Sequence, residues 1–209
     1  RLARGPRAVA SELRVALERV LAHQQLALNE VVHLTLTGSR KHGDAAEHAL
    51  TMGRRELDRV LAERVRSAAD DDDDTHTVMG VTFATLQLQN ALSSLLETSQ
   101  RLVDGRLENQ RPDAAVISRP HEALLESVHR LISEGLDAAR RSLREQELLD
   151  MEAARAREIQ LNLLEAEARA AMFDVERPAP LAQGELHVLE VVGAYEVSGN
   201  HLYRLAEIL

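Results

Sequence analysis

Near the end of the chain Glu196 and Asn200 stand four residues apart on either side of Gly199. That spacing sets a carboxylate and a carboxamide one helical turn from each other. Such a pair can share a hard cation or hydrogen-bond to a neighbouring helix, and the glycine beside it lets a second backbone approach closely. His187 and Glu190, three apart with Glu185 just before them, could hold zinc or nickel on one face; an exposed helix start is the plainer reading. The aspartate run 70–74 has charge enough for calcium but lacks the Gly and terminal Glu of an EF-hand loop, so it reads as a solvated helix start. His33, His42 and His48 lie scattered around the first loop. Arg140, Arg141 and Arg144 could meet phosphate or an acidic partner, or form a solvated basic face. No Ser/His/Asp constellation, phosphate-cradling glycine loop or acid–base carboxylate pair is recognisable in the sequence. The absence of cysteine excludes thiolate catalysis, disulfides and Cys-based metal sites. The chain therefore reads as a non-enzyme without a resident cofactor.

Helices must position these groups. The 209 residues hold only two Phe, two Tyr, five Pro, ten Gly and no Trp, with Leu, Ala, Val, Arg and Glu dominant, which is the composition of long aliphatic-seamed helices. Val188, Val192, Tyr195, Gly199, Leu202, Ala206 and Leu209 recur at alternating spacings of 4 and 3, predicting a helix from about 184 to the end. The same period predicts helices over 8–36 (Leu13, Leu17, Val20, Gln24, Ala27, Val31, Leu34) and 76–108 (Val81, Thr85, Leu88, Leu92, Leu95, Ser99, Leu102). Between those two lies a helix over 45–68 that Asp44 can cap, with Leu50, Gly53, Leu57 and Val60 or Leu61 inward after a loop from Gly38 to Gly43. Two more follow: 121–146 (Leu124, Val128, Leu131, Gly135, Leu136, Ala139, Leu143) and 147–175 (Leu149, Ala153, Ala156, Ile159, Leu163, Ala166, Ala170, Phe173), the latter ended by Pro178 and Pro180.

The six fall into two sets of three. Moving the third helix forward by 107 residues lays Val81, Leu88, Leu92, Leu95 and Leu102 on Val188, Tyr195, Gly199, Leu202 and Leu209. A shift of 111 lays Leu13, Leu17, Val20 and Leu21 on Leu124, Val128, Leu131 and Ile132. The expected fold is all-α: two tandem antiparallel three-helix bundles, 1–110 and 111–209, joined through the proline-bearing segment 110–120.

With the layout in place, the stretch from Ala194 to His201, Ala-Tyr-Glu-Val-Ser-Gly-Asn-His, resembles the signature of PhoU-type domains. There an aromatic or leucine precedes Glu-Arg-Ile-Gly-Asp-His, and an Ile-Ala-Glu ending follows; here the ending is Leu205-Ala206-Glu207. Proteins of that family are tandem three-helix bundles with one such motif on each third helix. The resemblance implies metal ions held by the Glu and by the Asp four residues later, with counterparts in the other repeat. This chain departs from the pattern: Asn200 replaces the Asp, and the first-repeat equivalents are Gln89 and Ser93. Only Glu196 remains of four carboxylates, so the pairs Gln89/Ser93 and Glu196/Asn200 are expected to make interhelical hydrogen bonds, with a metal at Glu196 and Asn200 the rival expectation.

The resemblance further implies a regulatory or interaction domain linked to phosphate transport, docking by helix faces on a transporter membrane domain or a phosphate-signalling protein. Two settings fit: a soluble domain fused after the membrane part of a sodium/phosphate cotransporter, or a stand-alone regulator of phosphate uptake. The basic lead-in Arg1, Arg4 and Arg7, a start at Arg1 rather than Met, and the altered motif favour the fused form on the cytoplasmic side, touching the membrane only through a segment outside this sequence. A structural dimerisation module, forming a homodimer, is the remaining alternative. Residues 1–69 carry 12 basic against 8 acidic residues and the rest 13 against 26, an acidic balance that argues against nucleic acid as partner. No run of about 18 apolar residues is present to cross a bilayer.

Overall fold

The computed structural model describes residues 11–67, 73–108, 119–172 and 183–209. These form six helices and no strand: α1 (Ser11–Thr37), α2 (Arg40–Ser67), α3 (Asp73–Glu108), α4 (Arg119–Glu145), α5 (Met151–Met172) and α6 (Gln183–Ile208). No helix among the described residues is long and apolar enough to cross a membrane. The joint before α4, the basic lead-in, the first three residues of the aspartate run, Phe173, Pro178 and Pro180 lie outside the described residues.

Two turns differ from the expected ones. Gly38 takes φ +70° and its N–H donates to the Leu34 carbonyl at 2.8 Å, closing α1 with a left-handed residue that only glycine adopts without strain. The reversal is finished within two residues, because the Thr37 hydroxyl accepts the Ser39 N–H at 3.2 Å and the Ser39 carbonyl accepts the His42 N–H at 3.0 Å. Helix α2 therefore begins at Arg40, and Asp44, expected as its cap, already lies inside it. Between α4 and α5, Gln146 enters the left-handed region at φ 59° and the Ser142 hydroxyl donates to the Glu147 carbonyl at 2.6 Å. Asp150 then accepts the Ala153 N–H at 3.0 Å, so the cap of α5 is Asp150 and the helix starts four residues later than the sequence suggested.

The fold is two three-helix bundles, α1–α3 and α4–α6, sharing one hydrophobic core. The seams expected on α1, α3 and α6 are buried throughout; Leu17, Val20, Leu88, Leu95 and Tyr195 are wholly enclosed. The bundles join through equivalent helices. Helix α1 runs antiparallel to α4, with Gln25 against Ser133 and Glu18 against Arg140. Helix α3 runs antiparallel to α6, with Gly80 against Ile208 and Gly105 against His187. First pairs with first and third with third, as two copies related by a twofold axis would do.

The expected inner face of α5 is overturned. Ala156, Ile159, Leu163, Ala166 and Ala170 are exposed, and the helix instead seats Ala154, Leu161 and Ala168 on its own bundle. The seat is narrow because a glycine receives it: a Cβ at Gly199 of α6 would lie 2.2 Å from Leu161 Cδ2, while Gly135 of α4 makes room for Leu202 of α6, whose Cδ2 would lie 2.4 Å from a Cβ there. Gly199 thus admits a leucine side chain, not the second backbone anticipated. One knob dropped into a glycine hole holds α5 without its longer apolar seam.

Candidate functional site

Glu196 and Asn200 are brought together, within one helix. Asn200 Nδ2 donates to Glu196 Oε1 at 2.6 Å, both half-buried on the flank of α6. The interhelical bond expected of this pair is corrected: the i to i+4 separation lets the two satisfy each other before either reaches a neighbour. Ser198 and Ser93 likewise turn back on their own helices, donating to Ala194 and Gln89 carbonyls at 2.9 and 3.0 Å. Among the described residues no three His, Asp or Glu side chains converge as metal ligands do.

Gln89 makes the interhelical bonds expected of it. Its Nε2 donates to the Leu50 carbonyl of α2 at 2.8 Å, while its Oε1 accepts from Gln24 Nε2 of α1 at 3.1 Å. Gln24 also donates to the Thr85 carbonyl at 3.2 Å. Gly53 makes room for this chain, since a Cβ there would lie 3.1 Å from Gln89 Oε1. All three helices of the first bundle are thereby tied at one level by two buried amides, which fixes their register. Position 135, equivalent to Gln24, is glycine, and position 196, equivalent to Gln89, is the half-buried Glu196. The second bundle thus replaces the polar tie by knobs on glycines.

His187 and Glu190 do not converge on a ligand. The His187 ring packs over Gly105 of α3, whose Cβ would lie 3.1 Å from it. Glu190 lines an open groove of about 370 Å³ between α3 and α6, with Ser94, Thr98, Arg101, Gly193 and Val197. Arg101 donates within its helix to the Thr98 hydroxyl at 3.2 Å. Arg140 is committed as well. Two of its guanidinium nitrogens donate to Glu18 at 3.1 and 3.0 Å, riveting α4 to α1 where a free basic face was considered.

The histidines are less scattered than their sequence positions imply. His42 Nδ1 lies 2.6 Å from Glu30 Oε2, and the His33 and His42 rings are 5.2 Å apart, so the α1–α2 turn brings one imidazole onto the Glu30 carboxylate and a second beside the first. Glu30 and His33 are three apart on α1, a spacing legible in the sequence; that a two-residue turn returns His42 to them was not. His129 of α4 was missed altogether. It meets the wholly buried Tyr195 edge to face at 6.5 Å, and among the described residues neither the Tyr195 hydroxyl nor His129 Nδ1 has a hydrogen-bond partner. Burial, helped by the nearby His33, holds His129 down to about 4, so it is neutral near pH 7, and burial pushes the Tyr195 phenol up. Burial and the Arg204 charge also lower His201. The arrangement offers buried neutral hydrogen-bonding groups and exposed helix faces.

Comparison with protein-family models, with curated proteins and with solved structures finds no match for this chain.

Proposed function

We propose that the chain is a PhoU-like regulatory and interaction domain linked to phosphate transport, serving as the cytoplasmic part of a sodium/phosphate cotransporter rather than as an enzyme. The observation that carries the reading is the equivalence of the two third helices. Gln89/Ser93 and Glu196/Asn200 occupy corresponding places on α3 and α6, which pack antiparallel against each other. A duplicated unit with one polar pair per third helix is the layout that the resemblance at 194–201 implies. In this role helix faces do the work: the domain binds a membrane partner or a signalling protein, and its shared core transmits a shift of one bundle to the other. The stand-alone regulator differs only in how it meets that partner.

Deleting the coding segment for residues 1–209 from the full gene, and measuring phosphate uptake against external phosphate in otherwise intact cells, tests the reading. Altered uptake or an altered phosphate-starvation response supports it; unchanged uptake and signalling overturns it. For the metal-binding form of the reading, protein purified without chelator is assayed for metal. Stoichiometric metal, lost in Glu196→Ala, would establish that form in place of ours.

A further inference from the structure

Three imidazoles from three helices and one carboxylate gather where the two bundles join. Glu30 and His33 stand three apart on α1, and the following turn brings His42 of α2 beside them: its Nδ1 lies 2.6 Å from Glu30 Oε2 and its ring 5.2 Å from that of His33. Across the joint, on α4, stands His129. The Gln25–Ser133 bond sets the register of these antiparallel helices, and His129 is one turn before Ser133, level with the turn of α1 that leads to His33. Behind it α6 presents Tyr195, wholly buried and edge to face with the imidazole, and Glu196, whose carboxylate is taken by Asn200. Glu126 and Arg130, its nearest charged neighbours along α4, are exposed. The charge that bears on His129 is that of His33, of the same sign as its own would be. Glu30, the carboxylate of the cluster, is engaged by His42.

We propose that the cluster is an acid-sensitive latch: proton uptake at His129 frees the N-terminal half of α4, residues 119–132, from α1 and α6. The shut state admits only a neutral imidazole there. His129 Nδ1 is buried without a hydrogen-bond partner among the described residues, so a proton placed on it meets no acceptor. The charged ring would also stand beside His33, a second group that turns cationic in acid. Once this half of α4 swings out, water solvates the imidazolium and the repulsion ends. The ties Gln25–Ser133 and Glu18–Arg140 hold α4 to α1 from its middle onward, so the freed half pivots there while the bundles stay joined. Burial and His33 hold His129 down to about 4 in the shut state, against 6.5 in water. The shut state thus binds fewer protons, and the open-to-shut ratio rises as pH falls, by roughly twentyfold between pH 7 and pH 5. The latch does not depend on the phosphate reading.

Native-state hydrogen exchange, read segment by segment and corrected for the intrinsic rate at each pH, tests the latch. Residues 119–132 are expected to be less protected than the segments of α1 and α3 around Gln24 and Gln89. Their protection should fall roughly twentyfold between pH 7 and pH 5. His129→Gln is expected to remove that fall, and His33→Gln, at an exposed position, to diminish it. His48→Gln, exposed on α2, should leave it unchanged. Protection of 119–132 that is the same at both pH values overturns the proposal, as does protection equal throughout to that of α1 and α3, which is the mark of global unfolding. A fall that persists in His129→Gln overturns it too. Should His129→Gln not fold, His33→Gln decides, and a pH dependence identical to the parent's sinks the latch.

Discussion

Gly193 and Gly199 lie six residues apart in the middle of α6, yet alanine should act on them in opposite directions. At Gly193 an added Cβ meets nothing within 4 Å, so the substitution changes only backbone freedom and helix propensity, a gain of about 0.5–1 kcal/mol. At Gly199 the same gain applies. There the new methyl meets Leu161 Cδ2 at 2.2 Å and Ile132 Cδ1 at 3.1 Å, and both side chains are buried. Leu161 must then leave its rotamer or lift α5, an overpacking cost of roughly 1–3 kcal/mol. Propensity cancels between the two sites, so the difference between the variants, about 1–3 kcal/mol, measures the knob-in-hole contact itself. Urea unfolding followed by far-ultraviolet circular dichroism gives both values from one protocol. Equal stabilisation by Gly193→Ala and Gly199→Ala would refute the claim that Leu161 fills the Gly199 site and holds α5.

His129 titrates at about 4 in the folded chain against 6.5 unfolded, so the unfolded state binds the extra proton between these values and stability falls as pH drops through that window. The loss between pH 7 and 5 is about 2 kcal/mol for this one group, and unfolding midpoints of His129→Gln should show that much less pH dependence. Gln89→Leu takes from Gln24 Nε2 one of its two buried acceptors, leaving it the Thr85 carbonyl, and is expected to cost about 1 kcal/mol; adding Gln24→Leu should recover part of it, a coupling that a double-mutant cycle in urea detects. Arg140→Ala leaves Glu18 without its two guanidinium bonds, and a drop of about 1 kcal/mol in the same unfolding assay is expected, largely abolished in a Glu18→Gln background.

Where a helix buries one face, that face was readable. The seams of α1, α3 and α6 are buried as spaced, whereas the pairing of α1 with α4 and of α3 with α6 across the two bundles was not legible in the repeat. Helix α5 defeated the same reasoning for a physical reason. It carries two apolar stripes, and periodicity alone favours the larger, Ile159 and Leu163, over the one whose Leu161 the Gly199 hole of α6 can receive. Asp44 misled because a polar residue after a loop suggests a cap, while Gly38 had already closed the turn. At the candidate site the residues were legible but their partners were not. Glu196 and Asn200 satisfy each other, Gln89 reaches two other helices, and His129 meets Tyr195 across a helix pair whose crossing no local spacing reveals.

The antiparallel pairing of α1 with α4 also sets a clock on synthesis. Glu18 waits for Arg140, 122 residues further on, and Gln25 for Ser133, 108 residues further on. At translation rates of roughly 5–20 residues per second, the α1 surface waits a few seconds after α3 is made for α4, and the α3 surface on the order of ten seconds for α6. Through those waits the α1 surface destined for α4, and the α3 surface destined for α6, face water with their apolar residues bare. A nascent chain arrested at α3 is thus a folded trimer of helices with one open side, a natural substrate for a holding chaperone and a ready template for mispairing with the same helix of a neighbouring nascent chain.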